Sequence, residues 1–401
     1  MKKNCVLVTP TLPGREGSGL QQRAFAWLLE LAREYNVTLV LALPAENIAS
    51  TLEARATQEL QPYVTQIEIC RATTSPKWLR LAALLCPLAL LWKPQLADDW
   101  VQPLGWEPQL PEQIDHIHVF RFRTMMIGEF LARAYGLRDY GIDLDDVESN
   151  TLASIARCVW RRKQPKFAFH LFAASLQYRI LERTRLGRAS QVYFSNPEDL
   201  RYLSKRVPKE RLHYRPNKIT IPASRAERRL PGVFSLLFVG TLDYVPNTDA
   251  ALWIAEEIVP ALREAIPQGF EVVIVGRGAS DSLTARLQQE PEIRFVGEVE
   301  HLSPYYAASH AALAAVRYGG GTKLKVLEAV AEFCPVITTT HAVSGLPFAA
   351  DRDVLVADTP QEIAAGCLRL RQHPDSAEQM AQQANRVLHE SNLAHAGMGE
   401  G

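Results

Sequence analysis

The chain has no excess of charge: Lys and Arg total 44, and Asp and Glu total 44, in 401 residues. A dedicated nucleic-acid binder carries a basic excess, so no nucleic-acid partner is expected. A CxxC pair is also absent. The six cysteines, Cys5, Cys70, Cys86, Cys158, Cys334 and Cys367, are scattered and mostly sit in apolar runs. That pattern speaks against a zinc site or a disulfide framework and for reduced thiols in a cytoplasmic protein. No unbroken apolar run reaches the roughly 20 residues a spanning helix needs. The nearest approach, PKWLRLAALLCPLALLWKP at residues 76–94, is interrupted by Pro87 and flanked by Trp78 and Trp92. Two readings of it stand. One is a buried core helix; the other is an interfacial element between Trp78 and Trp92 that touches the inner face of the plasma membrane. A GK[ST] loop and a GxSxG elbow are missing as well, so Ser195 in YFSNPED is not expected to be a hydrolase nucleophile. The opening MKKNCVLVTPTLPG passes from a few apolar residues into a Pro/Gly loop, which reads as a first strand and not a signal peptide.

What is present is an ordinary globular composition, 47% apolar and 22% charged, in a chain long enough for two domains. The first half opens as a βαβ unit: CVLVTP, a glycine-bearing loop, the helical LQQRAFAWLLELAREY, then VTLVLAL. Short apolar runs follow at TQIEIC, IDHIHVF, YGIDL and SQVYFS, with a long basic helical region at about 151–188. RPNKITIPASRAERRLPG, rich in Pro and charge, reads as a linker. The rhythm then restarts with SLLFVG, the helical NTDAALWIAEEIVPALREA, FEVVIVG, EIRFVG, HAALAAV, PVITTT and DVLVA. The expected class is α/β, with two Rossmann-like open parallel-sheet domains facing a cleft: 1–215, a linker at 216–232, 233–392, and a polar tail at 393–401. In such sheets ligands bind at the carboxyl ends of strands.

The densest signal is RYGGGTKLKVLEAVAEFCPVITTT at residues 317–340. A helix over 322–332 puts Leu324, Leu327 and Ala331 on one face, with Glu328 at its edge. A carboxylate there is partly desolvated and needs a partner. An ion pair with Lys325, three residues earlier, is the structural reading. The functional one is that Glu328 accepts hydrogen bonds from ligand hydroxyls. Gly319, Gly320 and Gly321 favour the second reading, because they leave backbone N–H groups free at the positive end of a helix, with Lys323 beside them. That is an anion site suited to phosphate oxygens.

These residues resemble the nucleotide-sugar site of GT-B-fold glycosyltransferases, specifically the family 4 type and a subgroup that builds cell-surface polysaccharides. The likeness extends to LFVGTLDYVPNTDAALWI, VIVGRG, the GLP after the last strand, and the amino-terminal TPTLPGREGSGLQQR. It implies a nucleotide-sugar donor as co-substrate, no further cofactor, no metal, and transfer with retention to a glycan or lipid-linked acceptor. By the resemblance, Glu328 binds the donor ribose, and the amides of Gly320, Gly321 and Thr322 contact the diphosphate and sugar. Lys323 neutralises the diphosphate, and Gly240 and Thr241 line the opposite wall. The loop with Gly17 and Gly19 approaches from the acceptor side, and His118 stands near the donor sugar. Arg277 or Arg317 is expected to assist with phosphate or base. The sequence departs from the family pattern at Gly320, which stands where a first glutamate is usual, and in residues 240–252, which lack the usual Arg and Lys. A catalytically degenerate nucleotide-sugar-binding partner protein is therefore the alternative. The family's fold usually finishes with a helix crossing back onto the first domain, and the polar, glycine-rich end suggests that this helix is short or missing. Asp143 and Asp145 in DLDD form a D-x-D pattern, read as structural or acceptor-contacting more readily than metal-binding. GRGAS lacks the third glycine of a dinucleotide loop. RRKQPKF at 161–167 reads as a solvated face, or as a basic contribution to lipid docking.

Overall fold

The computed structural model describes residues 2–15, 17–44, 58–72, 106–137, 139–217, 219, 228, 230–321 and 323–397. Residues 78–92 with Cys86, Thr322 and much of the expected linker lie outside the described residues. The chain divides into two compact units, Met1–Pro216 and Asn217–Gly401.

The first unit is a seven-stranded sheet in the order β3-β2-β1-β4-β5-β6-β7, with every neighbouring pair parallel. Its strands are β1 (Lys3–Thr9), β2 (Tyr35–Pro44), β3 (Gln66–Ala72), β4 (His116–Phe120), β5 (Gly141–Asp143), β6 (Gln191–Phe194) and β7 (Leu212–Tyr214). The strand period of two sends alternate residues to opposite faces. Cys5, Leu7, Leu39 and Leu41 join one core with Phe25 and Leu28, while Val6, Val8, Val40 and Ile117 join another with Met125 and Leu131. Both faces are thus covered, which explains why the strands read as continuous apolar runs. Helix α1 (Gly19–Glu34) starts at Ser18, whose hydroxyl accepts from the Gln21 amide while the Gln21 side chain accepts from the Ser18 N–H at 3.0 Å. This capping box sets the chain direction out of the Gly17 loop. Helix α2 (Met125–Ala134) follows β4. The short β7, LHY, carries too few apolar residues to stand out in the sequence; it is completed by pairing Val192, Tyr193 and Phe194 of β6 with Leu212, His213 and Tyr214.

The long basic helical region is two helices. Helix α3 (Glu148–Arg161) ends before Pro165, and α4 (Pro165–Arg185) begins on that proline, whose missing N–H costs nothing at a helix start. The three-residue connection folds them side by side as a hairpin. Its base is tied by Glu182 on α4, which accepts from the Ser149 N–H at 3.0 Å, the Ser149 hydroxyl at 2.6 Å and the Tyr202 hydroxyl.

The second unit is a six-stranded parallel sheet in the order β10-β9-β8-β11-β12-β13. Its strands are β8 (Phe234–Val239), β9 (Phe270–Val275), β10 (Ile293–Gly297), β11 (Ala311–Ala314), β12 (Val336–Thr338) and β13 (Leu355–Val356). Helix α5 (Val245–Trp253) runs through a wide π-turn, Ile254–Ile258, into Val259–Ala265. The turn precedes Pro260, which has no N–H to give to a regular ladder. Helix α6 (Leu324–Ala331) precedes β12, and α7 (Pro360–Gln372) and α8 (Pro374–Gly397) close the chain. Helix α8 is 24 residues long and continues through 393–397, so those residues of the expected polar tail are helical. Asn385 fixes it by donating to the Val330 carbonyl at 3.0 Å.

Burial outweighs the hydrogen bonds on Glu182 and raises its pKa to about 7. A carboxyl raised on folding contributes its full stability below its unfolded pKa and loses it as pH rises through about 7. Glu182→Gln should therefore flatten the decline in stability between mildly acidic and mildly alkaline pH. The wild type should lose roughly 2–3 kcal/mol across that range, and the variant should not. Thermal melts across pH test this; parallel curves for the two proteins would show that Glu182 is not the titrating group.

Candidate functional site

In the second unit, β9, β8 and β11 lie side by side and parallel, so the loops leaving their carboxyl ends meet. The loops after β8 and β9 touch backbone to backbone: a Cβ on Gly276 would stand 1.8 Å from the Gly240 carbonyl oxygen. The Leu242 N–H donates to the Arg277 carbonyl at 2.7 Å, locking the two loops. The loop after β11 carries the glycines. Gly319 has φ +107°, and a Cβ there would lie 3.0 Å from the Tyr244 hydroxyl and 3.2 Å from Pro246, so the glycine loop lies against the start of α5. Gly321 also has positive φ, at 66°.

Helix α6 starts at Leu324, two residues later than expected, and no side chain caps it; Lys323 holds the cap position. Of the first-turn amides, the Val326 N–H donates to the Lys323 carbonyl at 3.0 Å, and no side chain caps the others, an arrangement suited to an anion at a helix start. Leu327 and Ala331 are buried as expected. Leu324 is only partly so, and Val326 and Val330 complete the apolar face. Glu328 is half-buried one turn along, and its charge reaches the buried Tyr306 hydroxyl, whose pKa is raised by burial first and by Glu328 second.

The two lysines take different partners. Lys323 donates to the carbonyls of Gly320 at 2.7 Å and Gly321 at 2.8 Å, fastening the glycine loop to the helix start. Lys325 reaches the loop after β8. Its ammonium donates to Asn247 Oδ1 at 2.8 Å and lies 4.4 Å from the Phe238 ring centroid. A Cβ on Gly240 would come within 3.0 Å of this ammonium and 2.9 Å of Asn247 Cγ, so Gly240 is what admits both side chains. Burial lowers the Lys325 pKa to about 7, with Glu328 pulling the other way and Lys323 adding to the fall. Asn247 is held by donating to the Thr241 carbonyl at 2.9 Å. The structure thus gathers Gly240, Thr241, Gly319, Gly320, Gly321, Lys323 and Glu328 on one sheet edge and adds Lys325 and Asn247. The sequence signal for Lys325 was present in KLK, but its only sequence-adjacent partner was Glu328. Arg277 is exposed and pairs loosely with Glu298 at 3.5 Å. Arg317 is occupied: it donates to Asp249 at 2.8 Å and lies 4.2 Å above the Trp253 ring.

The first unit places its expected residues by itself. Gly17 has φ +109° in the loop before α1, and Gly19 is the first residue of that helix. His118 is 1% exposed, its ring 3.8 Å from that of Trp27. Its pKa falls well below the usual value through burial, with His116, Arg215 and Arg23 adding to the effect. The residue expected near a donor sugar is thus a buried ring packed on Trp27 in this structure. The D-x-D carboxylates are held by cations. Asp143 accepts from Arg23 Nε at 2.8 Å and Nη2 at 3.0 Å and from the Trp27 indole, and Asp145 stands 3.3 Å from Arg121. Arg121, at the end of β4, also pairs with Asp146 and lies 3.3 Å from Glu148. Ser195 donates to the Asp145 carbonyl at 2.6 Å, a structural bond. Among the described residues no group of three His, Cys, Asp or Glu side chains is arranged to hold a metal ion.

Residues 233–373 match the profile of the family described as Glycosyl transferases group 1. No curated protein matches the chain. Solved structures with similar folds include sucrose-phosphate synthase from Thermosynechococcus elongatus, with TM-score 0.63, 16% identity, and 100% and 98% of the two chains covered. The Anabaena protein HepE in complex with UDP and glucose has TM-score 0.61 and 12% identity, with 99% and 100% covered. A variant of S. aureus TarM in complex with Fondaparinux, alpha-GlcNAc-glycerol and UDP has TM-score 0.61 and 9% identity, with 97% and 96% covered. The architecture of two Rossmann-like parallel-sheet units is the GT-B fold.

A lysine whose pKa is lowered on folding destabilises the fold as pH falls toward about 7 from its unfolded value near 10.5. Lys325→Met should therefore raise stability at neutral pH by about 2 kcal/mol, with the gain shrinking as pH rises toward 10.5. The same substitution should weaken nucleoside diphosphate binding by about tenfold or more. Thermal melts and nucleotide titrations on the same preparation check both; a variant that is less stable and binds normally would make Lys325 purely structural.

Proposed function

We propose that the chain, a glycosyltransferase by its group 1 domain and GT-B fold, moves a sugar from a nucleoside-diphosphate donor to a glycan or lipid-linked acceptor in cell-surface polysaccharide synthesis. The observation that carries this reading is the convergence of the uncapped start of α6, the glycine loop and the Lys325 ammonium on one sheet edge. The binding partners of HepE and TarM, UDP with glucose and UDP with GlcNAc-glycerol, support it by analogy of fold.

In this reading the diphosphate lies over the amides at the start of α6. Lys323 keeps the glycine loop closed so that those amides point at the phosphate oxygens. Lys325, held against Asn247 and the Phe238 ring, offers its ammonium as negative charge grows on the leaving diphosphate. The stabilisation is greatest in the transition state because the anion then replaces the solvent that burial has removed. Glu328 accepts from the ribose hydroxyls. The acceptor hydroxyl attacks on the face the diphosphate leaves, its proton passing to a phosphate oxygen, so that configuration is retained. Protein cations and amides neutralise the leaving group, and no metal enters the scheme. The reaction takes place on the cytoplasmic side, where nucleotide-sugars are supplied.

The absence of a glutamate at Gly320 favours one competing reading, a degenerate partner that binds the donor without turning it over. A thermal-shift panel with UDP, GDP, dTDP and ADP, followed by donor-hydrolysis assays, separates the two. One nucleotide should raise stability by roughly 2.7 kcal/mol at a hundredfold excess over Kd. Hydrolysis of the matching nucleotide-sugar should be abolished by Glu328→Ala. A shift without hydrolysis identifies the degenerate form; no shift with any nucleotide sinks the donor site itself.

A further inference from the structure

The α3–α4 hairpin has a composition unlike the rest of the chain. Residues 149–181 contain six cations, Arg157, Arg161, Arg162, Lys163, Lys166 and Arg179, and no Asp or Glu, in a protein whose charges balance over the whole chain at 44 and 44. Globular surfaces normally intersperse the two signs, so an unbroken basic stretch of this length marks an electrostatic footprint. The carboxylates that bound it, Glu148 and Glu182, are both buried and engaged at the base of the hairpin.

The same hairpin exposes large apolar side chains. Trp160 is 60% exposed and Phe169 64%, with Phe167, Phe172 and Leu176 also exposed. On α4 the exposed positions Phe169, Phe172, Leu176, Arg179 and Arg183 recur every three or four residues, which is one stripe along the helix. Its first part is apolar and its end is cationic. Trp160 stands near the carboxyl end of α3 and Phe167 in the first turn of α4, on either side of the Arg161–Lys166 turn. Single exposed apolar residues are ordinary, but five on one hairpin are not. The opposite face of α4 is already used: Ala174, Tyr178 and Leu181 are buried. The exposed stripe is therefore not needed to hold the hairpin in its own unit.

We propose that this hairpin is a docking surface for an anionic lipid bilayer, lying flat so that Trp160, Phe169 and Phe172 enter the headgroup–acyl boundary while the surrounding Arg and Lys side chains meet lipid phosphates. The charge decides the occupant. Aromatic and cationic groups interleaved on a helix surface match the interfacial region of a membrane, where rings sit at headgroup depth and cations pair with anionic lipid. A second copy of the hairpin would bring six cations against six, with no carboxylate between residues 149 and 181 to offset them. No described helix is long and apolar enough to cross a bilayer, so the contact is peripheral. The surface is separate from the donor site and the inference does not need that site, although it would bring the enzyme to a lipid-linked acceptor.

The test uses the full chain and sedimentation with vesicles of phosphatidylcholine, alone or mixed with phosphatidylglycerol. The protein should bind the mixed vesicles, bind the neutral ones far more weakly, and be released by salt. A triple variant, Trp160→Ala with Phe169→Ala and Phe172→Ala, and a charge variant, Lys163→Glu with Lys166→Glu, should each lower partitioning by about tenfold or more. All these residues are exposed, so both variants should keep their circular dichroism and whatever nucleotide-induced thermal shift the wild type shows. Equal binding to the two vesicle types overturns the proposal, and so does no binding at all. Unchanged binding by both variants also overturns it and moves the contact to another part of the chain. If the wild type self-associates in scattering measurements and the triple variant does not, the face joins copies of the chain instead.

Discussion

Every neighbouring strand pair described in the two sheets is parallel, and that constraint arranges the chemistry. A parallel strand must be followed by a crossover, so each strand's carboxyl end opens into a loop on the same edge of the sheet. In the second unit the adjacent trio β9, β8 and β11 delivers three glycine-bearing loops to one place. Two of them are in backbone contact, at a distance that leaves no room for a side chain on Gly276. The third packs its glycines against Tyr244 and Pro246. The lack of a side chain on Gly240 leaves room for the Lys325 ammonium, which a Cβ there would meet at 3.0 Å.

That ammonium is held at a cost. One neutral amide oxygen, one aromatic face and a partly buried carboxylate one turn away replace the water it would otherwise have. Such a cation is poised to gain from an arriving anion more than a solvated lysine could, because the anion restores interaction that folding removed. Lys323 is spent on two loop carbonyls and shapes the amides instead.

The first unit treats its charges in the opposite way. Asp143 is closed off by Arg23 and the Trp27 indole, and Asp145, Asp146 and Glu148 by Arg121 and its neighbours. Carboxylates matched so closely to guanidinium groups hold strand ends and helix starts together. His118 sits beneath the same tryptophan as a neutral packing element. A motif that resembles a cation-binding pair on paper is, in three dimensions, an internal ion network.

The sequence by itself determined the α/β class, twelve of the strands, and the helix start that follows the glycines, because apolar period, turn residues and glycine placement are local and each acts within a few residues. The short β7 and the split of the basic region at Pro165 escaped it, the first because three residues carry no period and the second because helical pattern runs on either side of the break. Which lysine faces the site was not local at all. Lys323 and Lys325 flank the same helix start, and their fates are separated only by Asn247, 78 residues before the second of them. The packing of His118 likewise involves Trp27, contributed by a helix separated from its strand by two others. Side-chain partners of this kind are chosen by how the elements pack, and packing depends on contacts between residues far apart in the chain.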